Sequence, residues 1–170
     1  MSAKPGEIWV SESLKSGRVQ VALGTAAFDI EYRWVGRPCQ RGRPLMVFLH
    51  EGLGSVAMWR SFPHMLCEVC DFSGFVYSRP GYGASTPRRT EETWGPDFMH
   101  VQACQVLPAV LHACGIDPLV TPTWLYGHSD GGSIALIAAA RQSWPIQGMA
   151  VAAPHIVVED VSIQSIAAAR

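Results

Sequence analysis

Gly127-His128-Ser129-Asp130-Gly131-Gly132 constrains the fold of this chain more than any other stretch. Thr123-Trp124-Leu125-Tyr126 before it reads as a short apolar strand, and Ser133 to Ala140 after it as a helix. A G-x-S-x-G turn between a buried strand and a helix lifts a serine hydroxyl above the sheet edge. The same turn aims a helix N-terminus at any negative charge that develops there. Ser129 is therefore the candidate nucleophile, in an elbow made with Gly127, His128 and Gly131. Gly131 and Gly132 suit close approach of the elbow helix to a neighbouring strand.

The 170 residues predict a single domain over 1–170, long enough to bury a core. Formal net charge is −1 and no basic cluster stands out, which disfavours a nucleic-acid partner. No apolar run approaches the roughly 18 residues of a membrane span. Met1 to Glu7 lacks the apolar core of a signal peptide. The expectation is a cytoplasmic protein without a membrane partner. Five cysteines, an odd number, suit free thiols in a reducing compartment. Cys67-Glu68-Val69-Cys70 has no second Cys or His pair at ligand spacing, so it reads as helix packing and no metal is expected.

Arg18–Ala22 and Phe28–Trp34 alternate apolar and polar residues, as half-buried strands do, and predict an antiparallel start to a sheet. Pro44 to His50 is continuously apolar, as in a strand buried on both faces. Val56 to Cys70 reads as helical, with Pro63 at a bend or at the start of a second helical piece. Phe75–Ser78 predicts the next strand, followed by the turn-rich Arg79 to Ser85. Asp97 to Cys114 predicts a helix kinked at Pro108 and ended by Gly115. The elbow strand follows, then a helix from Ser129 to about Ser143, an apolar strand over Ile146–Ala153, and a helix-like tail from Val157 to Arg170. Strands alternating with helices after two early strands predict an α/β sheet.

His50-Glu51-Gly52-Leu53-Gly54-Ser55 follows the apolar strand directly. An oxyanion requires two preorganised N–H donors about 3 Å away. One is the amide of Asp130, the residue after the nucleophile; the other is expected from Gly52 first and Leu53 next.

Together, His50 with Gly52 and Gly54, then Arg79 to Ser85, then Gly127 to Gly131, resemble the α/β-hydrolase family in motif order and spacing. The resemblance extends from about Glu31 to Pro154. It implies a doubly wound, mostly parallel sheet, here ending after about six strands, with its site at the carboxyl ends of the strands. It also implies a serine hydrolase, esterase-like, that passes a small carboxylic ester or related acyl compound through an acyl-enzyme without a cofactor.

Two departures from the family pattern stand out. Glu51 occupies a position more often glycine, and is expected to point outward or to pair with Arg60 or Arg79. Asp130 carries a carboxylate that should turn away from the oxyanion.

The family order is Ser, then Asp or Glu, then His. After Ser129 the chain holds one helix, one strand and a short tail, so the usual base and acid are expected on sequence beyond Arg170, with 155–170 as the start of a cap. His155 is expected as a loop histidine near the site entrance, and as a general base only against the family's habit. A last strand without its next neighbour predicts self-association through an exposed edge. A non-catalytic α/β domain that binds a small apolar ligand or a protein partner remains the alternative reading.

Overall fold

The computed structural model describes residues 16–91, 93–141 and 144–168. Met1 to Glu7 and Ser143, named above, fall outside them.

Among the described residues six strands form one sheet: β1 (Ser16–Leu23), β2 (Ala26–Gly36), β3 (Leu45–Leu49), β4 (Ser73–Tyr77), β5 (Thr123–His128) and β6 (Ile146–Ala152). Their spatial order is β1-β2-β4-β3-β5-β6. β1 and β2 pair antiparallel, as their alternating pattern predicts, and β2 is antiparallel to β4. β4, β3, β5 and β6 are mutually parallel. The helices are α1 (Phe62–Cys70), α2 (Phe98–Val101), α3 (Leu107–Ala113), α4 (Asp130–Arg141) and α5 (Asp160–Ala168).

β3 shows why its run of apolar residues does not alternate with polar ones. Successive side chains point to opposite faces. Leu45, Val47 and Leu49 enter a core shared with α3 and α4, while Met46 and Phe48 enter a second core with Val56 and Cys67. Both faces are covered by protein, so every residue of β3 is buried. β4 divides the same way, with Phe75 and Tyr77 on one side and Val76 on the other.

Two helices differ from the sequence expectation. Residues 56–61 form turns rather than helix, and α1 begins at Phe62 with Pro63 in its first turn, one of the two placements expected for it, where a missing N–H costs nothing. The Asp97–Cys114 helix is interrupted by a π-helical segment, Gln102–Val106, immediately before Leu107 and Pro108. Proline has no N–H and its ring excludes the carbonyl four residues back. A wider turn placed just before it absorbs that conflict without ending the helix.

The parallel strands β3 and β5 end at Leu49 and His128, on adjacent positions of the sheet. Their outgoing loops therefore meet, and the candidate site lies where they do.

Candidate active site

Ser129 sits between β5 and α4 with a positive φ of 53°. That backbone region is unfavourable for a residue with a side chain and is found at sharp functional turns. Two glycines make the turn possible. A Cβ on Gly127 would collide with the backbone of Gly131, and a Cβ on Gly131 with the Leu49 carbonyl. The Ser129 N–H donates to the Ala152 carbonyl at 2.8 Å, which fastens the elbow to the end of β6.

That attachment brings in a residue the sequence reading set aside. Ser129 Oγ lies 2.9 Å from Nε2 of His155. His155 follows β6 and is held by α4: Ser133 Oγ accepts its N–H at 2.9 Å and donates to its carbonyl at 3.3 Å. Pro154 packs on Gly132, where an added Cβ would stand 3.2 Å from the proline ring. His155 is thus a partner of the serine rather than only a histidine near the entrance. The available signal was its place at the end of the strand paired with β5.

Asp130 opens α4, where a carboxylate is favoured by the helix dipole. Its N–H, in the first turn, has no acceptor within the helix by construction. Its carboxylate has two neighbours. Oδ1 lies 3.6 Å from His155 Nε2, and Oδ2 lies 3.6 Å from an Arg79 guanidinium nitrogen. A Cβ on Gly52 would lie 3.0 Å from the same Oδ2, so Asp130 faces the His50–Gly54 loop directly.

In that loop the Gly54 N–H donates to the Glu51 carbonyl at 3.0 Å. Gly52 and Leu53 are the central residues of the turn, and its closing bond uses neither of their N–H groups. The Leu53 side chain is 90% exposed, so it contributes no packing to the site. Glu51 pairs with neither Arg60 nor Arg79 through its carboxylate. Its Oε2 lies 3.7 Å from Nδ1 of His128, whose ring stands beside the elbow.

His50 is fully buried beneath the loop. Its Nδ1 is 2.7 Å from the Glu51 carbonyl, and its Nε2 accepts the Arg79 N–H at 3.0 Å. This pattern assigns the neutral tautomer with the proton on Nδ1. Burial, reinforced by the nearby Arg79 cation, pushes its pKa down to about 3. His50 orders the loop as a neutral strut and has no proton to trade near neutral pH.

The remaining histidines lie on helices: His64 pairs with Glu68 at 3.2 Å, and His100 and His112 lie in α2 and α3. Among the described residues no cluster of His, Cys, Asp or Glu is arranged to hold a metal ion. Cys67 is buried with Met46 and Phe48 in the second core, and burial raises its thiol pKa to about 12. Among the described residues no helix is long and apolar enough to cross a membrane.

Comparison with known proteins agrees with this fold. The model of the alpha/beta hydrolase fold family matches residues 44–166. No curated protein matches the chain in sequence. Several solved structures share its fold. A thermophilic esterase from Thermogutta terrifontis is 18% identical with a TM-score of 0.63, over 89% of this chain and 50% of the esterase. A bacterial membrane phospholipase A is 22% identical with a TM-score of 0.63, over 86% of this chain and 42% of its own. VinJ is 28% identical with a TM-score of 0.60, over 81% of this chain and 44% of VinJ. The chain thus spans about half the length of these structures. With the strand order, the elbow and the match over residues 44–166, the chain belongs to the α/β-hydrolase fold family.

Proposed function

We propose that the chain carries the nucleophile of a serine hydrolase that cleaves a small carboxylic ester or related acyl compound through an acyl-enzyme. The observation that carries this reading is the 2.9 Å contact between Ser129 Oγ and His155 Nε2 at a left-handed strand-to-helix turn. A serine hydroxyl is a weak nucleophile until a base accepts its proton. Fold relatives that include an esterase and a phospholipase support acyl chemistry.

The steps follow from the arrangement. With its proton on Nδ1, His155 accepts the hydroxyl proton at Nε2 as Oγ attacks the acyl carbon. Charge collects on the former carbonyl oxygen. The Asp130 N–H and a loop N–H, from Gly52 or else Leu53, are the donors that would receive it. The His155 imidazolium then protonates the leaving alkoxide, and the carbon–oxygen bond breaks to give the acyl-enzyme. Water then attacks the acyl carbon and loses a proton to His155; the carbon–Oγ bond breaks, the imidazolium returns the proton to Ser129 Oγ, and the acid leaves. The Asp130 carboxylate lies within reach of the imidazolium, at 3.6 Å from Nε2. It is on the nitrogen that serves Ser129, not on Nδ1, so it acts as a nearby charge and not as an orienting hydrogen-bond acceptor.

Hydrolysis of p-nitrophenyl butyrate tests this reading. The chain should turn the ester over, and Ser129→Ala should remove the activity. Turnover that survives Ser129→Ala would place the chemistry elsewhere.

A further inference from the structure

Arg79 is a fully buried cation at the centre of the candidate site, and the proposed mechanism gives it no step. It follows β4, at the start of the Arg79–Ser85 loop. Its backbone N–H is taken by His50. One guanidinium nitrogen, Nη2, donates to the Glu51 carbonyl at 2.9 Å and lies 3.6 Å from Asp130 Oδ2. The other, Nη1, is buried with no hydrogen-bond partner among the described residues. Tyr82 and Phe98 lie against the guanidinium, their ring centres 4.7 and 5.6 Å from its central carbon.

Such a group is a poor device for stability. Taking a cation out of water is expensive, and an apolar residue of similar volume often serves a core as well. Its contacts are instead distinctive in what they connect. Glu51 belongs to the loop after β3, and Asp130 to the elbow after β5. These are the two segments expected to supply the oxyanion donors. Resting on the serine-hydrolase reading above, we propose that Arg79 is a positioning residue for the oxyanion site: its Nη2 clamps the Glu51 carbonyl and the Asp130 carboxylate together.

The clamp has two consequences. It fixes the loop amides relative to the Asp130 amide, as preorganised stabilisation of an oxyanion requires. It also answers the Asp130 charge from the protein side. Without Arg79 that carboxylate would stand beside the developing anion with only the His155 imidazolium to answer it, and would oppose the anion. The sign of the Asp130 contribution should therefore depend on Arg79. With Arg79 present, Asp130 completes the clamp and helps. With Arg79 absent, its charge hinders.

The test is a double-mutant cycle in the full chain, read as the rate of fluorophosphonate labelling of Ser129 and as kcat and KM for an ester. Arg79→Met should slow labelling and lower kcat by about tenfold or more, with KM little changed, since one misplaced oxyanion donor is worth about that or more. Arg79→Lys should fall between, keeping the charge and losing the planar fork. Asp130→Asn should slow the parent but accelerate Arg79→Met. That reversal is a readout that loss of packing alone would not produce. Circular dichroism and thermal melting establish that each variant is folded, and Arg79→Gln, which removes the charge and keeps a polar side chain, carries the comparison if Arg79→Met does not fold. Arg79 variants within about twofold of the parent would overturn the clamp, as would Asp130→Asn acting in the same direction in both backgrounds. The serine-hydrolase reading would survive either result. A parent chain that is not labelled at Ser129 would overturn both.

Discussion

One hydroxyl, Ser133 Oγ, holds both ends of the His155 backbone, accepting its N–H at 2.9 Å and donating to its carbonyl at 3.3 Å. Ser133 is buried on the first turn of α4, one helical turn beyond the nucleophile. The side chain that positions His155 and the serine that meets its ring therefore ride on one rigid unit.

Ser133→Ala should free His155 while leaving Ser129 in its turn. The stability cost is that of a lost hydrogen bond, about 1 kcal/mol. The kinetic cost should be larger, about tenfold or more in kcat, because small misplacement of a base is costly. Urea unfolding and ester kinetics on the same preparation separate the two. Equal loss in both would make Ser133 a stability residue only.

The elbow should tolerate no side chain at Gly131, whose added Cβ would meet the Leu49 carbonyl. Gly131→Ala should destabilise the fold by about 1–3 kcal/mol, the range for overpacking. It should also slow Ser129 labelling, because the shift needed to relieve the clash moves β3 away from the helix. Denaturant midpoints and labelling rates check both effects.

His50 makes stability depend on pH with a definite sign. Its pKa falls from an ordinary 6.5 to about 3 in the folded protein. The unfolded chain therefore takes up the proton first as pH drops. The His50 contribution is complete above about pH 6.5 and is lost progressively as pH falls from there towards 3. Stability from this group should fall by about 1.4 kcal/mol per pH unit within that window. Denaturant unfolding from pH 7 to pH 4.5, compared between parent and His50→Asn, isolates it. Parallel pH profiles would contradict a buried neutral His50.

β6 lies at the end of the strand order, with Met149 and Val151 more than a third exposed. Among the described residues it pairs only with β5. Such an edge is a template for another chain. Sedimentation should show concentration-dependent association that Val151→Lys weakens. A parent that stays monomeric at every concentration would contradict this.

Much of the architecture was legible in the residues because it rests on local pattern. β3 announced itself by its apolar run, β1 and β2 by alternation, and the elbow by its glycines between strand and helix. The Gly52 and Leu53 turn was legible for the same reason. His155 was not. Its contact with Ser129 arises from β5–β6 pairing, the Ser129-to-Ala152 hydrogen bond and the grip of Ser133, three contacts that no local pattern encodes. The neighbours of the Asp130 carboxylate, Arg79 and His155, were not legible either, because both are distant in sequence and are brought near by the sheet. The π-helical segment follows from Pro108, which signals a conflict in the helix but not how the chain resolves it.

The most direct measurement is the rate of fluorophosphonate labelling, with the modified peptide mapped by mass spectrometry, in parent and His155→Ala proteins. A single adduct on Ser129 is expected. His155→Ala should slow it by at least a hundredfold, with partial recovery in added imidazole. An adduct on Ser129 that forms as fast without His155 would contradict His155 as the base, and no adduct on Ser129 would contradict the nucleophile itself.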